Sequence, residues 1–352
     1  MHEYDTGEYN VVLDIPTGNF VFSLFTSYDT QYMWDYIPTI ESQIKNNNTL
    51  VILFGAFENL HEYNHWIQPI NELKAKQNNP LVVFNGRLTS DNRITVQPNF
   101  KYHRISIFDH VSNVNSFEKI VDLKELQTVE KKHKFYWASS KDLYPRRFLL
   151  ASLFENNLIQ DNLVNYKCVI SNIPSDYLQH RMTKDYVDLI KEKCDTIADK
   201  IPLPGLDDTI EFNLTDDKFY NNCYLGIITD TFYADHGGPT GIFFSEKIFQ
   251  AINHHQMFFY LGPPNSLKYL KNIGYHVFDD VFDLSYDSVE NHGQRLIEAT
   301  KSLTDFLKHP LSYIQKIYHA NAKKIYENKV LLRSQNKKDY VYRLMQDALY
   351  EN

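Results

Sequence analysis

Apolar and polar positions alternate along this chain in blocks short enough to be strands and helices of an α/β protein. Residues 19–25, 50–54 and 81–84 are apolar runs of strand length, bounded by polar segments, and predict buried strands. An amphipathic stretch at 32–43 separates the first two, and 69–77 predicts a helix before the third. A further strand is expected at 104–108. Strands that alternate with helices in this way cannot pair as hairpins, so the pattern implies a parallel, doubly wound sheet.

The stretch 122–134 is charged and has no apolar block, which places a domain boundary there. The pattern then restarts. Strands are predicted at 135–138, 166–170, 224–229, 257–261 and 275–278, and helices at 145–156, 246–253 and 266–272. Gly274 falls just past a helix end, where a left-handed residue is needed. Helical patterns fill 289–307 and 311 to the end. The expected architecture is α/β: two Rossmann-like domains facing a cleft, with a C-terminal helical tail. The domains expected are 1–125, 135–310 and 311–352. In such sheets ligands bind at the carboxyl ends of the strands.

Composition supports two packed cores, with 43% hydrophobic and 14% aromatic residues in 352. The apolar runs are too short to span a bilayer, and the N-terminus lacks the basic-then-apolar order of a signal peptide. Cys168, Cys194 and Cys223 have no metal or redox spacing, as free thiols of a reducing compartment would. A cytoplasmic protein without a membrane span is expected. The net charge of −8 argues against a dedicated nucleic-acid binder, although a local basic groove is compatible with it.

Three segments carry candidate chemistry. The first runs from Phe135 to Phe148 and reads as strand, polar loop with Ser139, then a helix with Pro145 in its first turn. Arg146 and Arg147 then sit at the positive end of the helix dipole, where each cation is unfavourable by roughly 0.3–1 kcal/mol. A bound anion would reverse that sign and use the free helix amides as well; the plain alternative is two solvated arginines. The second segment, Asp230 to Lys247, is a strand end, a glycine-rich loop including Thr240, and a helix start at Ser245-Glu246-Lys247. Glu246 can accept hydrogen bonds from ribose hydroxyls and Lys247 can meet a phosphate, while the plain alternative is an ordinary capped helix. The third, Gly262-Pro263-Pro264, is ordinary turn chemistry.

Taken in order, these segments and the following Leu267-Lys268-Tyr269-Leu270 to Gly274-Tyr275 resemble the donor-binding half of the fucosyltransferase-like glycosyltransferases and their phage and bacterial relatives. The resemblance covers residues 135–287, and more weakly 50–108. It implies a GT-B fold with the nucleotide-sugar site built mainly by the C-terminal half. It implies Glu246 on the donor ribose, and Lys247 with Arg146 or Arg147 on the pyrophosphate. The absence of any Asp-x-Asp pair, which commonly holds the metal-bound diphosphate in GT-A enzymes, agrees with a metal-independent reaction needing no cofactor beyond the donor.

An inverting transfer needs a base for the acceptor hydroxyl. Glu58, past the strand at 50–54, is the first candidate and Asp29, past the strand at 19–25, the second; a solvated loop acid is the plain alternative. His61-Glu62-Tyr63-Asn64-His65 matches the H-E-x-x-H zinc signature, which requires a helix. Pro69 follows four residues later and sets the helix start there, so no metal site is expected. The partners implied are a nucleotide sugar and a hydroxyl acceptor, either a glycan or a modified DNA base. Two alternatives remain: a phage-type DNA-base glycosyltransferase acting on hydroxymethylated bases, and a catalytically inactive nucleotide-sugar-binding module.

Overall fold

The computed structural model describes residues 2–5, 10–13, 20–25, 33–46, 49–55, 72–73, 79–85, 100–104, 121–139, 142–166, 182–201, 203, 206, 217–230 and 244–334. They fall into two compact units, with described residues up to 104 in the first and those from 121 on in the second. No helix among the described residues is long and apolar enough to cross a membrane.

The first unit holds an antiparallel pair, β1 (His2–Asp5) and β2 (Asn10–Leu13), which the apolar pattern did not reveal. Its main sheet has four parallel strands in the order β3 (Phe20–Phe25), β4 (Leu50–Gly55), β5 (Leu81–Asn85) and β6 (Phe100–Arg104). Helix α1 (Met33–Gln43) makes the crossover from β3 to β4, burying Ile37 and Ile40 and leaving Pro38 and Thr39 outside. Of the helix expected at 69–77, Glu72 and Leu73 are described and are helical. Of the strand expected at 104–108, Arg104 is described and ends the strand Phe100–Arg104, and 105–108 lie outside the described residues. Strand β6 is an edge strand, and its alternating polar residues lack the apolar run that marks an interior strand.

The second unit carries the better-defined core. Its sheet is also parallel, in the order β10 (Met257–Leu261), β9 (Cys223–Thr229), β7 (His133–Ser139), β8 (Leu163–Tyr166). Every residue of β9 and β10 is buried, as expected of strands covered on both faces. Successive residues of β10 confirm two covered faces. Phe258 meets Phe278 and Tyr260 meets Phe244, whereas Phe259 meets Phe282 and Tyr286. The helices are α2 (Leu123–Leu126), α3 (Tyr144–Glu155), α4 (Lys184–Ala198), α5 (Asp217–Asn221), α6 (Glu246–Asn253), α7 (Ser266–Asn272), α8 (His292–Leu307), α9 (Leu311–Ala320) and α10 (Ala322–Ser334).

Residues 121–134, read from charge as a boundary, pack onto this second unit. The Val121 amide donates to His255 Nε2 at 3.3 Å, and the Lys131 amide donates to the Tyr224 hydroxyl at 2.9 Å. The helices beyond 310 do likewise: Tyr318 donates to the His255 carbonyl at 2.6 Å, and Lys329 Nζ to the Asn253 carbonyl at 2.9 Å.

Of the strand expected at 166–170, Tyr166 is described and ends β8, and 167–170 lie outside the described residues. The Asn162 side chain, just before β8, accepts from the Lys134 and Phe135 amides. One strand expectation is corrected. The segment 275–278 forms no strand. Its Tyr275, Val277 and Phe278 are buried, but Asn328 Oδ1 accepts from the His276 amide at 2.7 Å and Asn328 Nδ2 donates to the His276 carbonyl at 2.9 Å. One amide side chain thereby takes both backbone groups that a neighbouring strand would have used. Gly274 does adopt the left-handed conformation, with φ at 100°.

Candidate functional site

The order of strands in the second unit creates a switch point. The chain leaves β7 for β8 on one side and later returns to place β9 on the other. Crevices form at such points, beyond the carboxyl ends of the strands. β7 and β9 pair in parallel register, from His133 with Cys223 to Tyr136 with Gly226.

Side chains link the carboxyl ends of the two strands. Trp137 Nε1 donates to Thr229 Oγ1 at 3.2 Å. Arg146, on the first turn of α3, donates through Nη1 to Ser139 Oγ at 3.3 Å and through Nη2 to the Thr229 carbonyl at 3.0 Å. A small opening of about 20 Å³ beside these ends is lined by Tyr136, Ala138, Ile227, Thr229 and Lys247, among others. Lys247 is half-buried at the second position of α6. Helix α6 reaches this place because Gly226 lets it approach: a Cβ there would lie 2.7 Å from Gln256 Oε1 and 3.3 Å from Ala251 Cβ.

The two arginines differ sharply in setting, although both are buried. Arg147 forms a bidentate ion pair with Asp142, through Nε to Oδ1 at 2.9 Å and through Nη2 to Oδ2. Tyr166 adds a hydroxyl donor to Asp142 Oδ1 at 2.6 Å. The anion that a cation at this helix start calls for is therefore supplied, for Arg147, by the chain itself. Arg146 instead reaches the carboxyl ends of β7 and β9. The solvated-arginine alternative does not hold for either residue.

At the start of α6, Ser245 takes the N-cap position with extended backbone, yet its hydroxyl makes no capping bond. That oxygen is buried and has no hydrogen-bond partner among the described residues, which for a hydroxyl costs about 1–3 kcal/mol unless something else satisfies it. The Ser245 amide donates to Asp230 Oδ2 at 3.1 Å, and the same oxygen accepts from the Tyr260 hydroxyl at 2.8 Å. Burial, and then the Asp230 carboxylate, push the Tyr260 hydroxyl well above its ordinary pKa, so it stays a donor. Glu246 is the first residue of α6, and its side chain lies outside the described residues.

The third segment carries its own anion. Asp287 accepts from the Leu267 and Lys268 amides at 3.1 and 3.0 Å, closing the α7 terminus as the plain turn reading expected. Thr240, Glu58, Asp29, His61 and His65 lie outside the described residues. Among the described residues no cluster of three or more His, Cys, Asp or Glu could hold a metal ion. Sequence reasoning passed over Thr229, Trp137 and the roles of Asp142 and Asp230. The legible signal was a carboxylate flanking each cationic helix start, four residues before Arg146 and immediately after β9.

No family model matches this sequence, and no curated protein is detectably similar to it. Among solved structures, an α,α-trehalose-phosphate synthase (UDP-forming) from Burkholderia vietnamiensis aligns with a TM-score of 0.39 at 11% identity, over 90% of this chain and 79% of that one. At that level the likeness carries no argument about activity.

Proposed function

We propose that this chain is a glycosyltransferase that moves a sugar from a nucleotide-diphosphate donor to a hydroxyl acceptor, with the donor diphosphate at the opening between β7 and β9. One observation carries the reading: the carboxyl ends of β7 and β9, at the switch point of the sheet, lie beside Lys247 at the start of α6. A helix N-terminus favours negative charge, and its first amides point outward as donors. The buried, unpartnered Ser245 hydroxyl adds a donor in want of an acceptor. Together with Lys247 these groups suit a leaving diphosphate, whose charge grows as the glycosidic bond breaks. The work a metal does elsewhere then falls to a helix terminus and cations.

In this reading Ser245, Lys247 and Arg146, with Ser139 beneath it, serve the diphosphate. Glu246 serves the ribose, and Thr240 of the glycine-rich loop completes the donor site. Glu58, with Asp29 as second choice, is the proposed base for the acceptor. The test is a thermal-shift comparison of nucleoside diphosphates with the matching nucleosides. The diphosphate form should stabilise the protein more, by about 2.7 kcal/mol at a hundred times its dissociation constant. Equal shifts from the two would remove the basis for the diphosphate site.

A further inference from the structure

We infer that the cavity between residues 281–285, α8 and the head of α9 is a saccharide-binding site. It shares no lining residue with the opening beside Lys247, and it does not rest on the donor reading above. The cavity has a volume of about 590 Å³ and opens to solvent, the size that small-ligand sites take. Its floor is fixed from beneath. Phe282 and Phe306, both buried, meet with ring centroids 4.8 Å apart, and Phe259 of β10 backs Phe282 at 5.2 Å. At one end Tyr313, in the first turn of α9, stacks on His309 at 4.2 Å and remains 39% exposed.

The polar lining comes mainly from one face of α8. Glu298, Lys301 and Asp305 recur at intervals of three and four residues, so acid, base and acid stand in a row. Asp283 adds a carboxylate from the segment 281–285, held ionised below the ordinary aspartate range by the Ser285 amide that donates to it at 3.0 Å. The chain uses these groups only in part. Glu298 Oε1 accepts from Gln294 Nε2 at 2.8 Å and Asp305 Oδ1 from Lys308 Nζ at 3.0 Å, which leaves a second oxygen on each. Among the described residues the Lys301 ammonium and the Tyr313 hydroxyl have neither a hydrogen bond nor an ion pair. Ser302, on the same lining, keeps a buried hydroxyl oxygen with no partner among the described residues, whereas Ser152 on α3 bonds the Phe148 carbonyl four residues back. This mixture selects the ligand. A cation satisfies the carboxylates but meets Lys301, and an anion satisfies Lys301 but meets the carboxylates. A neutral polyol serves both, because each hydroxyl donates to a carboxylate and accepts from an ammonium or a phenol. The C–H face of a sugar ring then covers Tyr313, removing apolar area from water on both partners.

The experiment puts the full chain, fluorescently labelled, on an array of natural oligosaccharides, and then titrates the best-retained one by calorimetry. The parent should retain a subset of the array. Tyr313→Ala should bind that oligosaccharide about tenfold more weakly, through loss of the ring that the sugar covers. Lys301→Met should bind it about threefold more weakly, through loss of one donor. Both side chains are exposed, so neither replacement opens the core, and circular dichroism checks that both variants are folded. Parent-like affinity in either variant overturns the inference, because the saccharide then binds elsewhere on the chain. An array on which the parent retains nothing above the level of Tyr313→Ala overturns it as well. Tyramine and phenylacetate, an aromatic cation and an aromatic anion, test the ligand class. Tighter binding of either than of every oligosaccharide would show that charge, not hydroxyl groups, is what the cavity recognises.

Discussion

Arg146 and Arg147 are neighbours in sequence with the same charge, and the fold gives them different work. Arg147 is enclosed with Asp142 and Tyr166, so its charge is balanced inside the unit. A buried pair of this kind adds little net stability relative to apolar residues, but removing one partner strands the other. Asp142→Ala is therefore expected to lower the unfolding free energy by about 3–5 kcal/mol, measured by urea denaturation. A loss below about 1 kcal/mol would mean that water or another group takes over the guanidinium. From the sequence the pair read only as cations at a helix start; which of them was already neutralised depended on where the loop between β7 and α3 puts Asp142.

At the scale of elements, α9, α10 and the segment before β7 close over the amino ends of the second sheet, and they do so around buried titratable groups. His255 accepts the Val121 amide, and its carbonyl takes the Tyr318 hydroxyl. Burial, then the charges of Lys329, Lys131 and His254, lower its pKa from 6.5 to about 3. The unfolded chain therefore binds a proton in a range where the folded one does not. His255 contributes stability that is fully present above about pH 6.5 and is lost as pH falls towards 3. His255→Gln keeps an acceptor for the Val121 amide without the proton equilibrium. Its urea stability should fall less between pH 7 and pH 4 than that of the parent; parallel pH profiles would show that His255 does not carry the acid sensitivity. Helix and strand positions here were legible because β9, β10, α6 and α7 have strong apolar periods. The segment 275–278 was not, because its apolar residues are buried by packing while Asn328, some fifty residues on, supplies the hydrogen bonds.

Over the whole molecule the proposed labour is divided between units. The donor groups Ser245, Lys247 and Arg146 all lie in the second unit, and the proposed base Glu58 follows β4 in the first. That division predicts separable defects. Glu58→Gln should leave donor affinity unchanged while turnover falls by about a hundredfold, the usual contribution of a positioned general base. Donor titration beside initial-rate measurements checks both. Full turnover in Glu58→Gln would move the base to Asp29.

What the sequence determined alone was the class of the fold and where α6 begins. Apolar periods of two kinds require parallel sheets wrapped by helices, and Ser245-Glu246-Lys247 marks a helix start whichever way the chain folds. Those are local properties, set by residues within a turn or a strand of one another. The tertiary structure decided what local pattern cannot carry. Strand order made β7 and β9 neighbours. It brought Asp230 to the amide of Ser245, and it sent Arg146 across to the carbonyl of Thr229. These contacts join residues 15 and 83 positions apart. Nothing in the spacing of either pair along the chain requires them to meet; Arg146 and Thr229 meet because the sheet reverses its order between them, and Asp230 and Ser245 because the chain after β9 returns to start α6 beside that strand's end.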